Sequence, residues 1–202
     1  MLTTCVSSKL TEFICKQEGF LYAETLTGFK YLGNEARMIE ERGEKVIFMY
    51  EEAIGFTIGD HVRDKDGIST LGFLALNIIS KSQSMADVLC KMYKKFKYFG
   101  TCNGYFKIPD AADRSAIFTL LSSLKLSNLS SIHSASSSMI TLKFDDLIWM
   151  TFRTSGTEPK VKVYSEIEGD YENRVELNEK LRMRVKQICS LVILLPNVET
   201  NL

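Results

Sequence analysis

Arg153-Thr154-Ser155-Gly156-Thr157-Glu158-Pro159 is the segment of this chain best equipped for chemistry. Arg153 carries a planar fork of donors that matches a phosphate or carboxylate in bidentate fashion. Ser155 and Thr157 add hydroxyls at alternate positions. Gly156 would let the backbone turn sharply and present N–H groups to an anion. Lys160 and Lys162 follow closely and would neutralise further negative charge. These residue types describe an oxyanion cradle, although a polar surface turn draws on the same set. A P-loop is excluded, because GK[ST] is absent and the segment leads into a strand pattern.

Three further segments carry weaker signals. Glu51-Glu52-Ala53-Ile54-Gly55 directly follows the apolar run VIFMY at 46–50. In open α/β sheets ligands gather beyond the carboxyl ends of strands. Paired carboxylates there would accept hydrogen bonds from sugar hydroxyls, or form a solvated acidic turn. Asp64-Lys65-Asp66-Gly67 places Lys65 between two carboxylates, as a phosphate donor or proton-transfer group. The EF-hand pattern is absent, and no metal ligands are assigned. Thr27-Gly28-Phe29-Lys30 closes the first expected strand.

The elements that must position these loops read as α/β alternation. Helical spacing over 8–17 stops at Gly19, residues 20–26 read as a strand, and Asn34 would cap a helix ending near Gly43. VIFMY reads as a strand buried on both faces, and 68–80 as a buried helix after a polar loop. Ser84 and Asp110 would cap two more helices, with a strand over 101–108 between them. Residues 122–138, nine of them serine and none acidic, read as a flexible linker. Beyond it come a hairpin of 139–144 and 147–152, a third strand at 161–166 and a helix over 171–192. The expected division is 1–121, a linker at 122–138, and a small α+β domain at 139–202.

Composition narrows the function. The 202 residues hold 25 basic and 25 acidic side chains, for a net charge of zero. No global basic field exists to recruit nucleic acid. No apolar stretch reaches the roughly 20 residues that a bilayer demands. The five cysteines are scattered without a CxxC, as expected of reduced thiols in a cytoplasmic protein. Two histidines, His61 and His133, leave little for a histidine-rich metal centre or a Ser-His-Asp triad.

Taken in order, TLTGFKYLGN (25–34), EEAIGF (51–56), RDKDG (63–67) and RTSGTEPKVKVYSE (153–166) resemble the α-D-phosphohexomutase superfamily. EEAIG and the TEP ending look most like its eukaryotic phosphopentomutase and glucose 1,6-bisphosphate synthase branch. The resemblance spans nearly the whole chain but only the family's C-terminal portion, its third and fourth domains. It implies a partial mixed α/β sheet domain followed by a phosphate-binding α+β domain. It also implies an isomerase of the intramolecular phosphotransferase type, a phosphoglucomutase or phosphopentomutase, acting on phosphorylated pentose or hexose. A phosphoserine gives its phosphoryl group to one end of the sugar phosphate, the bisphosphate reorients, and the other phosphate returns.

By position, Glu51 would hold sugar hydroxyls, Thr27 and Gly28 would line the sugar side, and Lys65 would be the catalytic acid/base or a phosphate contact. Arg153, Ser155, Gly156, Thr157 and Lys162 would grip the non-transferring phosphate. Ala53 stands where the family often has serine. The complete family enzymes use Mg2+, with glucose 1,6-bisphosphate as a candidate activator. The TASHNP-type phosphoserine loop and DGDGDR-type magnesium loop are absent from these residues, and the third domain is expected to lack its opening strand. The expectation is therefore a chain without turnover on its own and less stable in isolation. It would be a partial gene product, a sugar-phosphate binding module, or half of a split mutase completed by a chain with the N-terminal domains.

Overall fold

The start of each helix follows from a local cap or an apolar stripe. Asp110 accepts the Ala112 amide at 2.6 Å and Ser84 accepts that of Asp87 at 3.0 Å, as their residue types predict. Gly19 closes its helix at φ 75°, where a side chain would be strained. The computed structural model describes residues 1–81, 84–156, 158–194 and 198–201, in two compact units, Met1–Lys97 and Tyr98–Leu202.

The first unit runs β1 (Leu2–Thr4), α1 (Leu10–Glu18), β2 (Ala23–Thr25), α2 (Phe29–Glu41), β3 (Phe48–Glu51), β4 (Gly55–Ile58), α3 (Gly67–Asn77) and α4 (Met85–Lys95). Its sheet has the order β2-β1-β3-β4, parallel except for β4. A strand thus occupies residues 2–4, where none was expected, and lies between β2 and β3. Helix α2 begins after Gly28, six residues before Asn34, because Phe29, Leu32, Gly33 and Ala36 form its buried stripe. β3 alternates buried and half-buried positions, with Met49 and Glu51 inside, so VIFMY is not buried on both faces. The expected polar loop contains β4, hydrogen-bonded to β3 as a hairpin. Helix α3 has no buried residue, contrary to its composition. The core consists of Leu2, Phe29, Leu32, Ala36, Val46 and Met49.

The second unit runs β5 (Tyr98–Thr101), β6 (Gly104–Lys107), α5 (Ala111–Ser122), β7 (Leu129–Ser136), β8 (Met139–Phe144), β9 (Ile148–Thr154), β10 (Lys160–Gly169), α6 (Arg174–Ile193) and β11 (Glu199–Thr200). Its antiparallel sheet has the order β11-β6-β10-β9-β8-β7, and β5 pairs with the far end of β10. The strand expected over 101–108 is therefore two strands, separated at Cys102 and Asn103, which hydrogen-bond Ser165 across the break. Because β5 and β6 pair with β10, the chain divides after Lys97 rather than at 121.

The serine-rich segment is not a free linker: Leu129–Ser136 is a strand paired with β8. An edge strand needs only one partner's backbone, and Leu129 and Ile132 give it an inward side against the core. That core includes Phe106, Ile117, Leu121, Ile140, Met150, Phe152, Val163 and the α6 row Leu181, Val185, Ile188 and Val192. Among the described residues no helix is long and apolar enough to cross a membrane, and the five cysteines are free.

Candidate functional site

In the first unit the motif loops meet at the carboxyl ends of β1, β2 and β3. Glu51 ends β3 with its side chain only 7% exposed, and its Oε1 is paired with Lys65 Nζ. An ion that is nearly buried needs a partner, and the half-exposed ammonium supplies one while remaining open to solvent. Gly55 faces Glu51 across the hairpin. A Cβ there would lie 2.8 Å from Lys65 Cε, 2.9 Å from Glu51 Cγ and 3.0 Å from Phe29 Cδ2. Glycine is what lets these three side chains converge. Phe29 follows Gly28, whose φ of 118° aims the chain into α2. Thr27 and Gly28 directly precede Phe29, whose ring lies beside Gly55.

The loop bearing Lys65 is held from three sides. The Asp66 amide donates to the Phe56 carbonyl at 2.7 Å. The Asp66 carboxylate caps α3 at the Ser69 amide, 3.0 Å away, and hydrogen bonding from Ser69 lowers its pKa below the ordinary value. Gly33 of α2 lies so close to the Arg63 carbonyl that a Cβ would stand 2.2 Å from its oxygen. Arg63 also bonds back to Glu40 of α2, Nε to Oε2 at 2.9 Å. The Glu52 carboxylate accepts from buried Thr4 Oγ1 at 3.2 Å, so Thr4 in turn accepts from Ser7 Oγ at 2.7 Å. Gly33 and Gly55 lie within the motif segments TLTGFKYLGN and EEAIGF but had no individual role from sequence, and Thr4 ends, and Ser7 follows, a strand not foreseen.

In the second unit Arg153 of β9 stands directly opposite Lys162 of β10. Facing residues of an antiparallel pair lie on one side of the sheet with Cβ atoms about 5 Å apart. Among the described residues neither side chain makes a hydrogen bond or ion pair. The nearby Glu158 carboxylate is taken by Lys160 Nζ at 2.6 Å; that hydrogen bond and charge lower the pKa of Glu158 and raise that of Lys160. Lys160 also lies 4.4 Å from the Tyr105 ring centre. The turn is closed by the Ser155 amide donating to the Lys160 carbonyl at 2.8 Å and the Thr154 amide to Ser138 at 3.0 Å. Gly156 is at the exposed tip; its φ is not left-handed and a Cβ there would meet nothing, so the turn does not demand glycine. Thr157 lies outside the described residues.

A cavity of ≈ 550 Å³ opens elsewhere, at the amino ends of the parallel strands, between Met1, Phe20, Tyr22 and Ile47. It lies at the opposite end of the parallel strands from the motif loops, and its lining is mainly apolar, with Glu35, Arg42, Glu44 and Lys45 also among it. Among the described residues no three His, Cys, Asp or Glu side chains converge as metal ligands. These residues do not by themselves fit a divalent cation.

Residues 1–96 match the family described as phosphoglucomutase/phosphomannomutase, alpha/beta/alpha domain III. The chain belongs to the α-D-phosphohexomutase superfamily. It is similar to the "Probable phosphoribomutase" of Schizosaccharomyces pombe, 33% identical over 221 residues covering 90% of this chain and 38% of the relative. It is also 33% identical over 221 residues to "Glucose 1,6-bisphosphate synthase" of Homo sapiens, covering 90% of this chain and 35% of that protein. In fold it matches the crystal structure of pp63/parafusin, a phosphoglucomutase from Paramecium, with TM-score 0.62, 19% identity, and coverage of 93% of this chain and 38% of that one. The chain spans under two-fifths of the length of each.

Proposed function

We propose that this chain supplies the sugar-binding and phosphate-binding loops of an intramolecular phosphotransferase acting on phosphorylated pentose or hexose. Arg153 and Lys162 hold the non-transferring phosphate, with Ser155, Gly156 and Thr157 as further binding residues. Glu51 accepts hydrogen bonds from sugar hydroxyls, Thr27 and Gly28 line the sugar side, and Lys65 is the acid/base group or a further phosphate contact. The observation that carries this reading is the facing pair of cations on β9 and β10. Like charges directly opposite each other destabilise a sheet. A bound dianion removes that repulsion and gains charge-assisted hydrogen bonds. A cradle of this kind works by positioning and charge neutralisation, the main requirements of phosphoryl transfer.

The family's phosphoserine and magnesium loops are not among the 202 residues. We therefore expect the chain alone to bind without turning over, in the cytoplasm, with Mg2+ and glucose 1,6-bisphosphate belonging to a complete family enzyme. A non-catalytic binding module, or half of a split mutase completed by a chain carrying the N-terminal domains, remains the alternative reading. Calorimetric titration with ribose 5-phosphate and glucose 1-phosphate tests the cradle. Heat of binding that falls at least about tenfold in affinity in Arg153→Ala is expected. No heat at about millimolar ligand, a weak affinity of only some 4 kcal/mol, overturns it. Mutase turnover by the pure chain would refute the expected inactivity.

A further inference from the structure

We propose that Tyr105 is a third phosphate-binding side chain, its hydroxyl donating to the dianion that Arg153 and Lys162 hold; this rests on the reading of β9 and β10 as a phosphate cradle. Strand β10 lies between β9 and β6. Lys162 stands directly opposite Arg153 on one side and Tyr105 on the other. Directly opposed residues share a face of the sheet, so Arg153, Lys162 and Tyr105 form one row across three strands. Their chain neighbours Phe152, Val161, Val163 and Phe106 turn the other way, into the core. The outer two members of the row stand about 10 Å apart, two strand spacings, within the combined reach of an arginine and a tyrosine. A dianion above Lys162 can therefore meet all three.

The charges on this face define what the third group must be. Lys160 and Lys107 face each other two residues along, and each is answered by a carboxylate: Lys160 Nζ by Glu158 at 2.6 Å and Lys107 Nζ by Glu199 at 3.7 Å. Among the described residues Arg153 and Lys162 are left with two unanswered positive charges, which a phosphate monoester dianion cancels. Its remaining oxygen lone pairs call for a neutral donor, and a phenol is one. Among the described residues the hydroxyl of half-buried Tyr105 makes no hydrogen bond. Lys160 Nζ lies 4.4 Å from the ring centre, which keeps the ring near the turn that Lys160 and Glu158 close. The Tyr105 backbone is held on both sides, its amide donating to Asn201 Oδ1 at 2.8 Å and its carbonyl accepting from Thr200 Oγ1 at 3.3 Å. A side chain ordered beforehand in this way gives up little freedom when the ligand arrives.

Tyr105→Phe keeps the ring and its contact with Lys160 and removes only the hydroxyl. In calorimetric titrations of the full chain it should bind ribose 5-phosphate and glucose 1-phosphate roughly tenfold more weakly. The factor should be the same for both ligands, because the hydroxyl serves the phosphate that they share. The far-UV circular dichroism and thermal midpoint should match those of the parent chain. A second measurement needs no variant: the Tyr105 Cζ resonance of the parent chain should shift on saturation with ribose 5-phosphate. Unaltered affinity in Tyr105→Phe, where Arg153→Ala does weaken binding, overturns the role of Tyr105 and leaves the cradle standing. A loss confined to one sugar places the hydroxyl on the sugar and overturns it too, as does a Cζ resonance that stays in place while the ligand binds. No heat with the parent chain removes the cradle itself, and this role with it.

Discussion

Two glycines show how much of this protein rests on atoms that are not there. At Gly33 an added methyl would meet a backbone oxygen at 2.2 Å, and a backbone cannot rotate away. At Gly55 the nearest neighbours, at 2.8 and 2.9 Å, are the flexible Lys65 and Glu51 chains, with the ring of Phe29 behind them. We therefore expect Gly33→Ala to cost about 3 kcal/mol and Gly55→Ala about 1–2 kcal/mol, measured by chemical denaturation. The order of the two is the sharper expectation. Gly55→Ala should also shift the Lys65 side chain, visible as altered resonances of its side-chain methylenes. Arg153 and Lys162, by contrast, stood out by type alone, and the register of β9 on β10 sets them opposite each other. Gly156 was over-read: its position in the motif implied a backbone need that its φ does not bear out.

The β3–β4 hairpin and α6 each carry a testable strain or burial at the scale of the element. The three-residue turn between Glu51 and Gly55 ends on Ile54 at φ 59°, a conformation that disfavours a branched side chain. Ile54 is 83% exposed, so no packing offsets the strain. Ile54→Gly should raise the thermal midpoint through a gain of about 1 kcal/mol. On α6 the thiol of Cys189 is 2% exposed, and burial, reinforced by nearby Cys102, pushes its pKa up to about 12. Above the ordinary thiol pKa the unfolded chain loses this proton while the folded chain keeps it. Stability should therefore fall between about pH 9 and pH 12, by at most about 1.4 kcal/mol per pH unit. Cys189→Ala should flatten that slope in denaturation curves taken across the range.

Among the elements, the caps at Ser84 and Asp110 and the strand Met139–Phe144 were readable because each is decided by neighbours in sequence. The strand Leu129–Ser136 was not, because serine has little intrinsic reason to extend; β8 beside it supplies the hydrogen bonds. Residues 98–107 were misassigned for a similar reason, since only pairing with β10 shows which unit they join.

At the scale of the whole molecule the two units differ in how much they bury. Among the described residues the second unit's core holds 18 buried residues and the first unit's holds six, in segments of similar length. Each buried aliphatic or aromatic side chain contributes about 1.5–3 kcal/mol, so the first unit should open first. Native-state hydrogen exchange should find slower amides in β8, β9, β10 and α6 than in β1, β2 and β3. Equal protection of both would show that core size does not govern the order. Sequence by itself determined the family and the caps at Gly19, Ser84 and Asp110, because side-chain type and near neighbours decide these. Only tertiary structure decided that Lys65 pairs with Glu51, that Arg153 faces Lys162, that a serine-rich run becomes a strand and that α3 stays open. Those outcomes depend on strand register and close approach between segments far apart in the chain, which spacing along the sequence does not encode.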